Sequence, residues 1–242
     1  MVQSEDAMAR RLLRLAPNSM SLGSLVVGVV AIILLDSQDF LVAGLLIWLG
    51  SALDVLDGGL AGKLNIRTAF GKQLDNLADV VTFGVAPALL AHHLLLLGGV
   101  PLPIAAAAAL VYSVCGALRL ARFAAGSAKR PGWFEGIPIP AAAMFIVSAG
   151  FWQQWLMAWG WAPVVMLVAF LMVSPFGYPK HSTLRQVPAA AWLLPAGLLA
   201  VCGAALGWQA LPFGVAVMYA ASGPLLLLLG APARRKLLHM VG

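Results

Sequence analysis

Fifteen Lys and Arg residues punctuate this chain at alternate breaks in its apolar sequence, and no other feature limits its fold so strongly. Breaking the sequence at Gly, Pro and charged residues predicts helices near 19–35, 40–61, 74–97, 102–124, 138–158, 161–177, 188–207 and 210–229. The N-terminal segment, the connections near 62–73, 125–137 and 178–187, and the tail after 229 hold every basic residue, with Arg119 and Arg122 counted as the inner end of the fourth helix. The connections near 36–39, 98–101, 159–160 and 208–209 hold none. Positive residues favour the cytoplasmic side of a membrane, so the partition predicts an even number of spans with both termini inside. One miscounted helix would scramble it.

A hydrocarbon core about 30 Å thick takes roughly 20 apolar residues per helix, and the apolar stretches here have about that length. The 242 residues are 62% apolar and 10% charged, against about 25% charged in an average soluble domain. The expected fold is therefore all-α: a polytopic transmembrane bundle of about eight helices, with no sizeable soluble domain. Residues 1–18 carry Arg10, Arg11 and Arg14 among Leu and Met, without a small-residue cleavage site, and read as a short amphipathic N-terminal helix rather than a cleaved signal. Cys115 and Cys202 lie far apart in apolar sequence, which suits packing better than a disulfide or a thiolate metal site. The net charge of +6 is spread between apolar spans. That spread points to anionic membrane lipids as partners and away from nucleic acid.

Of the nine acidic residues, Glu5, Asp6, Asp36 and Asp39 are accounted for by solvation and helix ends. The second helix closes on Asp54-Val55-Leu56-Asp57-Gly58-Gly59-Leu60-Ala61, and the third opens on Leu74-Asp75-Asn76-Leu77-Ala78-Asp79. Spacings of three and four put each pair on one helical face. A connection of about twelve residues makes the two helices antiparallel neighbours, so the faces can converge near the inner boundary of the membrane. Carboxylates crowded there are costly by desolvation and repulsion and require protons, basic partners or cations. Solvated helix ends would explain one or two such residues but not two periodic pairs.

All-oxygen ligation suits Mg²⁺ or Mn²⁺, and four carboxylates can bridge two such ions; the lack of His and Cys argues against zinc. Gly58, Gly59, Gly62 and Gly71 allow close approach of backbone to a ligand, and Lys63, Arg67 and Lys72 supply charge for anionic groups, as do Arg119 and Arg122. Metal, glycine and basic residues together indicate a pyrophosphate substrate. A cation transporter is the reading from another class, weakened by the position of the pairs at helix ends and by the lack of an inverted second copy of the motif.

The run resembles the signature of the CDP-alcohol phosphotransferase family, D-x2-D-G-x2-A-R-x8-G-x3-D-x3-D. Asp54, Asp57, Gly58, Ala61, Gly71, Asp75 and Asp79 stand at the matching places. The resemblance implies a six-helix catalytic core, here 19–185, that usually forms a homodimer, leaving 186–242 as two added spans and a basic tail. It implies transfer of a phosphatidyl-type group from a CDP-linked lipid to an alcohol with release of CMP. By the same resemblance Asp54, Asp57, Asp75 and Asp79 hold two metal ions, Asp79 is the candidate base, and Asp57, Gly58, Ala61 and Gly71 line the CDP pocket. One position departs, since the family's Arg after the Ala is Gly62 here. Lys63 and Arg67 are the candidates to replace its charge, although Lys lacks the planar fork of Arg.

Further stretches, Pro17-Asn18, Leu77–Ala88, Leu118–Phe123, Gly136–Ala143 and Leu171–Ser174, resemble the integral membrane branch of the family that uses CDP-diacylglycerol and L-serine. Asn76 stands where that branch usually has Ser. Arg119, Arg122, Lys129 and Arg130 are candidates for the lipid phosphate or the serine carboxylate. Glu135 is a candidate for the serine ammonium, with a helix-start cap as its bland alternative. The expected location is the inner (cytoplasmic) membrane with the site facing the cytoplasm. A sibling enzyme using glycerol phosphate or inositol phosphate remains open, as does an inactive scaffold. The Trp residues clustered at 152–161 are expected to form an outer interfacial belt, and His92 and His93 to lie far from the carboxylates.

Overall fold

The computed structural model describes residues 2–64, 68–126, 133–150, 158–179 and 210–228, with a few isolated positions between 196 and 207. Among these residues it is an all-α membrane bundle apart from one small ribbon. Among the described residues, three helices are long and apolar enough to cross a bilayer, Ser19–Asp36, Ala69–Leu97 and Leu102–Ala124, and shorter apolar helices cover Phe40–Leu56, Ile139–Gly150 and Gly160–Val173. The protein is therefore multi-pass. The span expected at 188–207 lies almost wholly outside the described residues. Two compact units divide the chain, 1–90 and 91–242.

In the first unit α1 (Val2–Asp36) is one uninterrupted helix through the expected arm and the first span. It ends with Gln38 in the left-handed region (φ 62). There the Asp39 amide reaches back to the Leu34 carbonyl at 3.0 Å and the Gln38 amide to the Leu35 carbonyl at 3.1 Å. This paired closure satisfies orphan carbonyls and lets α2 (Phe40–Leu64) begin at once. α2 runs three residues beyond its expected end, so Gly62 and Lys63 join Gly58 and Gly59 in helix rather than starting the connection. α3 (Ala69–Asp79) starts five residues earlier than expected because Thr68 caps it, its side chain accepting from the Gly71 amide at 3.0 Å.

Between α3 and α4 (Ala86–Leu97) the helix widens into a π turn over Val80–Val85. Its centre, Thr82, is wedged between glycines of both neighbouring helices. The Thr82 hydroxyl donates to the Ser24 carbonyl at 2.9 Å, and the Ser24 hydroxyl donates to the Gly50 carbonyl at 3.4 Å. A Cβ on Gly28 would meet the Thr82 Cα at 2.9 Å, and one on Gly50 would meet the Thr82 Cγ2 at 2.6 Å. Small residues here let backbones come close enough for van der Waals packing and interhelical hydrogen bonds, the forces that associate helices in lipid.

The second unit holds α5 (Leu102–Ala124), α6 (Ile139–Gly150), α7 (Ala158–Val173) and α8 (Ala210–Leu228). α5 and α6 both pack on α7, and α8 packs on α6. Two three-residue strands, β1 (Trp133–Glu135) and β2 (Gly177–Pro179), pair antiparallel, with Phe134 opposite Tyr178. The ribbon was expected to be plain connection save for Gly177, the last residue of the helix expected at 161–177, which ends at Val173. It closes over the end of α7, where the Gly136 amide donates to the Phe176 carbonyl at 2.9 Å and the Ile137 amide to the Leu171 carbonyl at 3.0 Å. Gly136 is left-handed (φ 72), and its would-be Cβ points into the Met172 carbonyl, so only glycine fits. Trp161 is buried in this unit, contrary to the expected lipid-interface belt; Trp152 and Trp155 lie outside the described residues.

Candidate active site

Two neighbouring stretches of sequence build the acidic site. Asp75 and Asp79, one turn apart on α3, present carboxylates on the same face, and Asp54 reaches the same place from α2. α1 packs along both α2 and α3 and against the π turn, so one helix holds the two carboxylate-bearing elements in register. One oxygen from each of Asp54, Asp75 and Asp79 lies within 4.8 Å of the others. Asp79, 9% exposed, is the most enclosed of the three.

This donor set fits a hard divalent cation. Octahedral Mg²⁺ takes oxygens at about 2.1 Å, placing opposite ligands about 4.2 Å apart, so slight closure brings all three onto one ion. Three anionic groups this close in a partly desolvated setting repel one another, and a cation removes that cost. The backbone of Asp57 lies in α2 one turn beyond Asp54, with Gly58, Ala61 and Lys63 in the helix end that follows. The side chains of 57–64, and Arg67, lie outside the described set. Gly71 occupies the first turn of α3, where its amide is taken by Thr68.

Arg119 and Arg122 belong to the second unit. Arg119, 6% exposed, sits with its guanidinium carbon 5.8 Å from the centroid of the Phe134 ring. Such a desolvated guanidinium over an aromatic face is stabilised by the ring quadrupole. Arg122, one turn on, donates from Nη1 to the Val173 carbonyl at 3.1 Å and so caps the end of α7. Phe123 packs against Phe134 at 6.3 Å between centroids. Glu135 stands on β1 opposite Gly177, which removes its helix-cap alternative, since α6 starts four residues later. Lys129 and Arg130 lie outside the described residues. His92 and His93 pack edge to face at 5.6 Å, on α4.

Sequence reasoning did not find Thr82, Phe134, Tyr178 or Tyr219. Thr82 had a signal, a lone hydroxyl among apolar residues facing glycines on two other helices. Phe134 and Tyr178 had none, because three-residue strands are too short to show a period, and Tyr219 is one aromatic residue in an apolar helix.

An integral membrane protein with a carboxylate cluster able to hold a cation, at the junction of its second and third apolar helices, is thereby defined. The model of the CDP-alcohol phosphatidyltransferase family matches residues 14–173. The chain belongs to that family and is an enzyme of its kind. It is 39% identical over 171 residues to the CDP-diacylglycerol–serine O-phosphatidyltransferase of Bacillus subtilis, covering 69% of this chain and 92% of that protein. It is 39% identical over 139 residues to the enzyme of the same name from Methanocaldococcus jannaschii, covering 56% of this chain and 63% of that one. Against the archaetidylserine synthase of Methanothermobacter thermautotrophicus it is 34% identical over 179 residues, covering 68% and 69% respectively. The family is generally dependent on divalent metal, and the Asp54, Asp75 and Asp79 group is able to bind one.

Proposed function

We propose that this protein transfers the phosphatidyl group of CDP-diacylglycerol to the hydroxyl of L-serine, releasing CMP and forming phosphatidylserine. The convergence of Asp54, Asp75 and Asp79 within 4.8 Å carries the reaction type. The names of the relatives support the two substrates. Asp54, Asp57, Asp75 and Asp79 would hold two Mg²⁺ or Mn²⁺ ions, which supply Lewis-acid neutralisation of the diphosphate and of the departing CMP. Asp79, the most enclosed of the three described carboxylates, takes the proton of the attacking hydroxyl. The serine oxygen then bonds to the lipid phosphorus, the bond from that phosphorus to the CMP oxygen breaks, and CMP leaves as the anion. Gly58, Ala61 and Gly71 line the CDP pocket, and Lys63 and Arg67 supply the charge that the family draws from Arg at the position of Gly62.

Arg119 receives the serine carboxylate, with Arg122, Lys129 and Arg130 as further cations and Glu135 for the ammonium. The catalytic core is 19–185, the site faces the cytoplasm of the inner membrane with both termini on that side, and the chain works as a homodimer. The basic residues on alternate connections support the orientation.

Purified protein with CDP-diacylglycerol, Mg²⁺ or Mn²⁺ and a panel of labelled alcohols tests the reading. CMP release with serine and not with glycerol phosphate or inositol phosphate is expected. Release only with another alcohol would overturn the acceptor, and none under any condition would overturn the reaction.

A further inference from the structure

Past residue 173, where the family match ends, the chain continues to shape the surroundings of Arg119. Phe134, which underlies the guanidinium, is the direct ladder partner of Tyr178. Directly opposed residues of an antiparallel pair project to the same face, so the Phe134 and Tyr178 rings share one side of the ribbon. On that side stands α8. The Tyr178 hydroxyl donates to the Ala220 carbonyl at 3.1 Å, and the Tyr219 hydroxyl returns a hydrogen bond to the Pro179 carbonyl at 3.3 Å. The two rings lie 5.6 Å apart. Gly223, one turn along α8, leaves room for the Tyr178 ring, since a Cβ there would lie 2.6 Å from its Cζ. The circuit closes because Tyr219 also lies near enough to Arg119 to feel its charge.

We infer that Tyr219 is a positioning residue for Arg119 and that α8 belongs to the acceptor site. Tyr219 clamps β2 through the Pro179 carbonyl. β2 fixes β1, and β1 presents the Phe134 face on which the guanidinium rests. A fixed guanidinium binds a carboxylate in a planar, two-toothed fashion, and its affinity depends on the fork being held in advance. The inference rests on the reading of Arg119 as the acceptor's anion site.

Steady-state kinetics of full-length Tyr219→Phe, Tyr219→Leu and Gly223→Ala in detergent micelles test it, with serine and CDP-diacylglycerol varied separately. Tyr219→Phe keeps the ring and loses one hydrogen bond, so the KM for serine rises about 5-fold. Tyr219→Leu loses both and raises it by more, about 20-fold, so the Phe variant recovers part of the deficit. Gly223→Ala, which displaces Tyr178, shifts the serine KM in the same direction. In all three, kcat and the donor KM stay within about 2-fold of wild type.

A merely structural role would lower kcat or raise both KM values together with a fall in melting temperature, and that pattern overturns the inference. A serine-dependent wild type whose variants behave as it does overturns this inference alone. A wild type that releases CMP with no anionic alcohol overturns the acceptor reading and this inference with it.

Discussion

The carboxylate group of residues 1–90 and the guanidinium environment of residues 91–242 are built by opposite means. The first draws on two stretches about twenty residues apart, joined by one connection and clamped by glycine and hydroxyl contacts along α1. The second draws on α5, two strands and α8, so that residues 119, 134, 178 and 219 come together across a hundred positions of sequence. A group that must gather metal can be local, since charge at close range does the work once the helices are in register. A group that must hold a planar cation in one orientation needs walls on several sides, and those come from distant segments.

The sharpest way to break this contrast is at the carboxylates. Asp79→Asn removes the candidate base and a candidate metal ligand, and turnover should fall about 10²–10⁴-fold, the range of one general base. Thermal stability without metal should hold or rise, because a crowded negative charge is gone. Retained turnover, measured as CMP release, would sink the local site.

Arg119→Lys probes the other region. It keeps the charge and loses the planar fork, so the KM for serine should rise about 10–100-fold with kcat little changed, as for a charge-assisted hydrogen bond. An equal effect on the donor KM would show that Arg119 serves the CDP-lipid instead.

Gly28→Ala addresses the clamp behind the carboxylates. Its methyl meets the Thr82 backbone, where there is no flexible end to yield, and should cost about 1–3 kcal/mol. Melting in detergent measures this, and Thr82→Ala should recover only part of it.

The smallest effect concerns alkali. Burial pushes the Tyr178 hydroxyl up to about 12 from an ordinary 10.0. Between those values the unfolded chain gives up its proton while the folded chain retains it. Stability from this group is therefore whole below about pH 10 and lost as pH rises toward 12. A melting profile across that range should slope downward, and Tyr178→Phe should flatten it.

How much was legible in the sequence follows the same division. The described spans and the spacing of Asp75 and Asp79 are periodic or compositional, so they survive translation into helices with ends displaced by a few residues. Thr68 shows why the ends moved: its capping oxygen starts α3 earlier than hydrophobicity does. Gly62 read as the start of a connection, yet helix continues through it to Leu64. Propensity is a weak prior in lipid, where an unpaired backbone amide costs more than glycine's freedom. Phe134, Tyr178 and Tyr219 carry no pattern, because each matters through a partner chosen by the fold. Glu135 was legible as a candidate but not as a strand residue, for the same reason.

The π turn at Val80–Val85 acts as a phase shifter in the third span. A regular helix advances about 100° per residue, so an extra residue accommodated within one turn offsets the two flanking segments by about that angle. Asp75 and Asp79 can thus obey the geometry of a cation while Phe83, Ala86 and Leu90, all buried, obey the geometry of packing. Deleting one residue from this turn would restore an ordinary helix and force those two sets of side chains to compete for a single orientation.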